Sequence, residues 1–311
     1  SLVWISSAAI VYVPDNYSSI QEAINAVSVD DTVIVHKGTY NENVVLNKSL
    51  SLIGEGYPSV DAQQKGSAIR ITADGCVVKG FRCVNAKYLP NAGISVESCS
   101  NVIANNTCTK NNCAIILDGN SSGGSSSNTI ENNTCFENCQ DGIFLFRSSD
   151  SRIINNTCRK NYDIGITLWY SSNDTIANNT FESCYDGIQL SYSSNNIIMN
   201  NEIHENYENG IHLRWDSSNN YIYLNEFVNN SLNTNSNRSD NIWNSPLKLI
   251  CVYNGKEYEG YMGNYWDDYK GKDEDGDGIG DTSYRINEPW DTGVEDDSDD
   301  YPLVLPFKDY F

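Results

Sequence analysis

Gly142-Ile143-Phe144-Leu145, Gly165-Ile166-Thr167-Leu168, Gly187-Ile188-Gln189-Leu190 and Gly210-Ile211-His212-Leu213 are four copies of one unit, 23, 22 and 23 residues apart. Two other markers keep that period. The pairs Asn132-Asn133, Asn155-Asn156, Asn178-Asn179 and Asn200-Asn201 precede each copy's next strand, and Ser148, Ser171, Ser193 and Ser217 follow the Gly-Ile-x-Leu unit. An earlier copy runs from Asn105 to Leu117 and then carries an insertion, Asn120 to Ser127, with the composition of a flexible loop. A period of this size means a stacked-repeat architecture. Each repeat holds short strand-like runs separated by Gly, Asn and Ser and shows no 3.6-residue pattern, so the unit is one coil of a parallel β-solenoid.

Stacking such coils at about 4.8 Å turns every inward position into a ladder. The expected ladders are Ile143, Ile166, Ile188, Ile211; Leu145, Leu168, Leu190, Leu213; and Cys83, Cys108, Cys135, Cys158, Phe181, Ile203, Phe227. Cys alternates with Phe and Ile in the third, which reads as a buried apolar position. Disulfides between neighbouring coils remain the other reading. The Asn pairs suit turns in which one Asn takes a left-handed or bridging conformation and its own amide bonds the equivalent Asn in the next coil.

Both ends of a solenoid need cover. Ser19-Ile20-Gln21-Glu22 has the form of a capping box, and Ile20, Ala23, Ile24 and Val27 make one apolar helical stripe, so a short helix closes the N-terminal end. After Ser239 the repeat fades and Tyr, Trp, Asp and Gly dominate. The domain plan is an apolar arm over 1–17, the β-helix with its capping helix over 18–238, and a C-terminal cap over 239–311. Within that cap, Asp273, Asp275, Asp277 and Asp281 occupy positions 1, 3, 5 and 9 of a Ca²⁺ loop, Gly278 occupies position 6, and Ile279 offers the position-7 carbonyl. Calcium is the expected cofactor. Position 12 is Tyr284, so a further carboxylate is expected from Asp267, Asp268 or the run Asp296 to Asp300.

Forty-one acidic against twenty basic residues give a net charge of -21, which disfavours nucleic acid and anionic membrane surfaces as partners. No apolar run is long enough to span a membrane. Ten cysteines and ten Asn-x-Ser/Thr sequons point to export. Ser1 is read as the mature N-terminus left by a removed signal. The sequons at Asn16, Asn47, Asn120, Asn173, Asn229 and Asn237 are the expected glycosylation sites. Some of those beginning at the first Asn of a repeat pair are expected to stay unmodified, because a buried ladder and an exposed acceptor cannot share a residue.

The outward positions carry the chemistry. Trp169, Tyr170, Tyr192 and Trp215 form an aromatic strip for stacking on sugars or contacting a protein. Asp141, Asp163 and Asp186 lie just before the glycines and read as turn residues, with no adjacent acid pair on that face. His212 beside Arg214 is the best candidate for a catalytic base, although three histidines in all make catalysis the less favoured reading. Leu2, Val3, Trp4 and Ile5 are apolar on both strand faces, which suggests strand addition onto another copy, a head-to-tail homopolymer.

Tyr12-Val13-Pro14 through Ile20-Gln21-Glu22-Ala23-Ile24, Gly38-Thr39-Tyr40 and Ser49-Leu50-Ser51-Leu52-Ile53-Gly54 resemble the first coils of NosD-like right-handed parallel β-helix proteins. The Asn-Asn and Gly-Ile-x-Leu units are similar to carbohydrate-binding and sugar-hydrolase (CASH) repeats. Trp243-Asn244-Ser245-Pro246, Gly263-Asn264-Tyr265-Trp266, Asp275 to Asp281 and Tyr301-Pro302-Leu303 resemble the C-terminal unit of archaeal NosD-like surface proteins. The expectation is an all-β, right-handed parallel β-helix of roughly eight coils, secreted to the cell surface or beyond as a non-catalytic filament or sheath subunit. The alternative is a carbohydrate-active protein, binding environmental polysaccharide or acting on it as lyase or hydrolase. NosD-like naming suggests copper handling, but two methionines and no His or Met cluster lack the ligands for it.

Overall fold

The computed structural model describes residues 8–120, 124–237, 239–286 and 297–311. Three parallel sheets run along one axis, and successive turns add a strand to each. The first sheet has ten strands, from Ile10–Val13 and Thr32–Val35 to Tyr221–Tyr223. The second also has ten, from Thr39–Tyr40 to Glu226–Val228 and Tyr265–Trp266, and the third has nine, from Val44–Leu46 to Leu232–Ser236. The solenoid therefore has about ten turns rather than the expected eight. The extra turns lie at the ends, where Thr39–Tyr40 and Tyr265–Trp266 continue the sheet without the Asn-Asn or Gly-Ile-x-Leu markers.

The interior is built from the predicted ladders. Ile143, Ile166, Ile188 and Ile211 pair in register, as do Leu145, Leu168, Leu190 and Leu213, all fully buried. The column Cys83, Cys108, Cys135, Cys158, Phe181, Ile203, Phe227 is likewise continuous. It ends on Trp266, whose ring stacks 4.4 Å from Phe227 and 4.3 Å from Tyr284. None of the ten cysteines is in a disulfide. Burial raises the pKa of Cys158 well above the ordinary thiol value and pushes that of Cys184 up to about 12, which makes these thiols packing groups rather than nucleophiles.

The glycine marker has a steric cause. A Cβ on Gly142, Gly165, Gly187 or Gly210 would lie 2.6, 2.5, 2.6 and 2.7 Å from a carbonyl oxygen of the next turn, and against the Cys158, Phe181, Ile203 and Phe227 side chains. Only a residue without Cβ lets the third sheet approach the bulky column of the second.

The Asn pair divides its work between two residues. In the pair Asn155-Asn156, Asn155 takes φ 56° at the corner between the first and second sheets, a left-handed conformation Asn tolerates. Asn156 is buried; its Nδ2 donates to Asn179 Oδ1 at 3.0 Å and to the Ile130 carbonyl at 2.8 Å, while its Oδ1 accepts from the Asn133 N–H at 2.9 Å. The same bonds repeat from Asn106 through Asn225 to Asn264, satisfying the backbone groups that the corners strip from the sheets. The sequon acceptors Asn132, Asn155 and Asn178 are thus the exposed corner residues, not the buried amides. The premise that ladder and acceptor coincide is corrected: the ladder runs one residue later.

At the N-terminal end the helix Ile20–Ala26 packs on strands Ile10–Val13, Thr32–Val35 and Val44–Leu46, burying Ile20, Ala23 and Ile24. The Ser19 hydroxyl accepts from the Glu22 N–H at 3.2 Å, but Glu22 reaches Ser18 instead of completing the box. Glu42 from the following turn supplies the rest of the cap, accepting from the Ile20 and Gln21 N–H groups at 3.0 Å each. The C-terminal region adds the hairpin Leu249–Tyr253/Lys256–Gly260. No helix among the described residues is long and apolar enough to cross a membrane.

Candidate functional site

The third sheet has the longest strands, five or six residues in most of its turns, and its outer face forms a shallow trough. Because Asp186–Ser191 starts one residue before its glycine, Asp186 belongs to the strand, paired with Ile164. Asp141 and Asp186 thus share a column with Ile164, while Asp163 sits one residue outside it. The expectation that this face holds no acid pair is overturned: Asp163, Asp186 and Glu208 line one cleft of about 390 Å³ with Tyr185, Gln189, His212 and Arg214. Reading outward positions by strict alternation inside the Gly-Ile-x-Leu unit missed the residues that come before it. The signal that could have found them is the Asp186/Asn209 position immediately before glycine.

Within the cleft, His212 Nδ1 lies 3.2 Å from Asp186 Oδ2, and Asp186 Oδ1 accepts from the Asn209 N–H at 2.9 Å and its amide at 2.8 Å. Asp186 is nearly fully buried, so these bonds replace the water it loses. Arg214 Nη1 reaches Gln189 Oε1 at 3.4 Å. Burial, then the charge of Asp186, raises the pKa of Asp163. Farther along, burial and Asp163 push Asp141 up to about 7. Thr167 Oγ1, Ser191 Oγ and Asn209 Oδ1 on this face are buried without a hydrogen-bond partner among the described residues. The arrangement offers donors, acceptors and a histidine–carboxylate pair along one side of an extended surface.

Aromatic rows flank this floor. On one side Tyr170, Tyr192 and Trp215 stack at 4.8 and 5.5 Å with Trp169 6.2 Å from Tyr170. Tyr170, Tyr192 and Trp215 hold φ of 53°, 51° and 50°, a costly conformation for aromatic residues that ring stacking offsets. Arg147 and Arg214 close the two ends of the stack, 5.7 Å from the Tyr170 ring and 4.2 Å from the Trp215 ring. The strip therefore presents ring edges and hydroxyls outward, because its faces are used on one another. On the other side the exposed Tyr162, Tyr185 and Tyr207 border a wider depression of about 1200 Å³, which shares Asp163 and Tyr185 with the central cleft.

In the C-terminal region the carboxylates of Asp273, Asp275 and Asp277 come within 4.8 Å of one another. Asp273 accepts from the Gly276, Asp277 and Gly278 N–H groups and Asp281 from that of Glu274, which curls the loop. Ile279 donates its N–H to Asp277. This donor set fits a hard cation. Of the expected extra ligands, Asp267 and Asp268 hold Asn233, Asn229 and Tyr284, buried Asp299 holds Asn264 and Trp266, Asp300 accepts from Ser283 and Ser298, and Asp297 Oδ2 has no hydrogen-bond partner among the described residues. Asp296 lies outside the described residues. The cleft beside Asp267, Asp268 and Tyr284 owes its carboxylates to those bonds and reads as structural.

The six sequon residues Asn16, Asn47, Asn120, Asn173, Asn229 and Asn237 are all exposed. Leu2, Val3, Trp4 and Ile5 lie outside the described residues.

A family model described as periplasmic copper-binding protein (NosD) matches residues 24–271. The chain belongs to the NosD family. A cell surface glycoprotein of Methanothermus fervidus is 36% identical over 97 residues, 29% of this chain and 15% of that protein. This NosD-family chain thus spans only a small part of that relative's length. Among solved structures it is similar to pectate lyase Pel9A (TM-score 0.59, 15% identity, 76% of this chain and 80% of that one). It is also similar to the Dettilon tailspike protein (0.53, 15%, 70% and 54%) and an alginate lyase from Paenibacillus sp. str. FPU-7 (0.52, 11%, 75% and 98%). At these identities the likeness shows the parallel β-helix and nothing further. The residues do not fit a thiolate or thioether copper site: the column thiols are buried, Met262 is fully buried, and Met199 Sδ accepts from the Tyr223 hydroxyl at 2.9 Å.

Proposed function

We propose that this NosD-family protein is a cell-surface or extracellular scaffold that holds a glycan chain along the outer face of its third sheet. The observation that carries the reading is the trough itself: Gln189, His212, Arg214, Asp186 and Asn209 form a polar floor between two rows of aromatic side chains. A sugar chain presents hydroxyls at regular spacing, which match the polar floor and the outward ring edges and tyrosine hydroxyls beside it. The acidic lining favours neutral or amino sugars over uronates. The surface location draws on the glycoprotein relative and on the sequons. Calcium in the Asp273–Asp281 loop would brace the C-terminal cap.

A glycan microarray of the full chain in Ca²⁺ buffer, run beside a Gln189→Ala/Arg214→Ala double variant, tests the reading. Binding to neutral or amino-sugar polymers that the double variant loses supports it; no binding to any glycan overturns it. Incubating the same polymers and assaying new reducing ends or unsaturation shows whether the His212–Asp186 pair also performs chemistry. A second reading, self-assembly through the N-terminal arm, is favoured by one observation. Strand Ile10–Val13 ends the first sheet with Ile10 and Tyr12 exposed, an edge onto which a strand of another copy can add.

A further inference from the structure

We propose that Glu182, His204 and Glu205 form a surface site for a borderline divalent cation such as Zn²⁺, on the second sheet and away from both the trough and the Asp273–Asp281 loop. Glu182 and His204 are direct partners on adjacent strands, Thr180–Glu182 and Glu202–His204, so their side chains project side by side from the outer face. Glu205 follows His204 at the corner with φ 58°, which swings its carboxylate back toward that pair. One donor atom from each of the three lies within 4.8 Å of the others. That spacing needs only a small contraction to surround one ion at about 2.0–2.2 Å.

The environment separates this cluster from an ordinary solvated charge group. His36 is bracketed by Asp15 and Glu55 and stacked on Tyr12, and His212 is held by Asp186. The Glu182, His204 and Glu205 heads, by contrast, make no hydrogen bond or ion pair with any described residue. Of the neighbouring cations, Lys308 is bound to Glu202, and Arg159, which faces Glu182 in the register, lies over the Phe136 ring. Two carboxylates facing an imidazole without a partner repel each other unless a cation joins them. One nitrogen and two carboxylate oxygens select a borderline ion over Ca²⁺ or Mg²⁺, which take all-oxygen shells, and over soft Cu(I). Bound there, the ion would tie together two neighbouring turns and the corner after them, and water would complete the shell.

Calorimetric titration of Zn²⁺ into the full, chelator-stripped chain, in millimolar Ca²⁺ to saturate the acidic loop, tests this site. The expected result is one saturable site. His204→Ala should weaken it by more than about tenfold, the lower edge of what outer-sphere partners alone contribute, with Glu205→Gln intermediate. His36→Ala and His212→Ala should leave it intact. Co²⁺ in place of Zn²⁺ should give visible d–d bands that His204→Ala abolishes. Absence of saturable Zn²⁺ binding overturns the proposal, and so does binding that survives His204→Ala in a variant with unchanged circular dichroism.

Discussion

His212 Nδ1 sits 3.2 Å from Asp186 Oδ2 across two neighbouring turns, although the two residues are not opposite each other in the register: His212 faces Gln189 and Asp186 faces Ile164. This diagonal contact joins the floor of the trough to the column before the glycines. Asp186→Asn keeps the size and the Asn209 contact but removes the charge beside the imidazole. It is expected to leave thermal stability nearly unchanged while weakening glycan binding. Binding identical to wild type would place the pair outside the binding surface.

Asp174 is the one acid in the buried column formed by Asn101, Asn128, Ser151, Asn196, Asn220 and Asn241. Its Oδ1 accepts from the Ser151 N–H at 2.8 Å and its Oδ2 has no partner. Burial raises its pKa from 3.8 to about 8. Below the ordinary carboxyl range the folded and unfolded chains both carry the proton. Between about 4 and 8 only the folded chain does, so stability falls as pH rises through that window. Asp174→Asn restores an amide to the column and should stabilise by about 1–3 kcal/mol at neutral pH, the cost of one unmatched buried polar group, with little effect near pH 3. Chemical denaturation at both pH values measures it.

Gly187→Ala places a methyl group 2.6 Å from the Gly210 carbonyl oxygen and 2.7 Å from Ile203 Cγ2. The expected loss is about 1–3 kcal/mol, the range for overpacking a filled core. Measured in an Ile203→Ala background, which lacks that Cγ2, the loss should shrink only in part, because the backbone clash remains. Full recovery would show that side-chain crowding alone requires the glycine.

Removing Ca²⁺ with EDTA should lower the melting temperature of the C-terminal region, and adding it back should restore it. Saturation at about 100 times Kd corresponds to about 2.7 kcal/mol. Asp275→Ala should make the protein insensitive to both additions. Calorimetric scans that are the same with and without Ca²⁺ in the wild-type chain would exclude the loop as a cation site.

The ladders were legible because each inward position repeats the same residue type, so Ile166 and Leu168 can be placed from the spacing alone. The corner and column roles of Asn155 and Asn156 were legible as a pair but not in order, since their exchange would leave the sequence unchanged. The trough was only half legible. Trp169, Tyr170, Tyr192, Trp215, His212 and Arg214 stand inside or after the repeated unit, whereas Asp186 and Glu208 stand before it, where strand length decides which way a side chain faces. Asp163 shows the same limit, because a one-residue difference in corner length removes it from the Asp141/Asp186 column. Glu42 capping the helix and Asp299 receiving the end of the Asn264 column are contacts between segments far apart in the chain, and no local pattern announces them.

The central claim is that the outer face of the third sheet is where a glycan lies. A crystal structure of the chain soaked with the best-bound oligosaccharide tests it most directly. The account predicts ordered sugar rings over Gln189, His212 and Arg214, with sugar hydroxyls hydrogen-bonded to those side chains. Sugar bound only on the first or second sheet, or none on this face at saturating ligand, would contradict it.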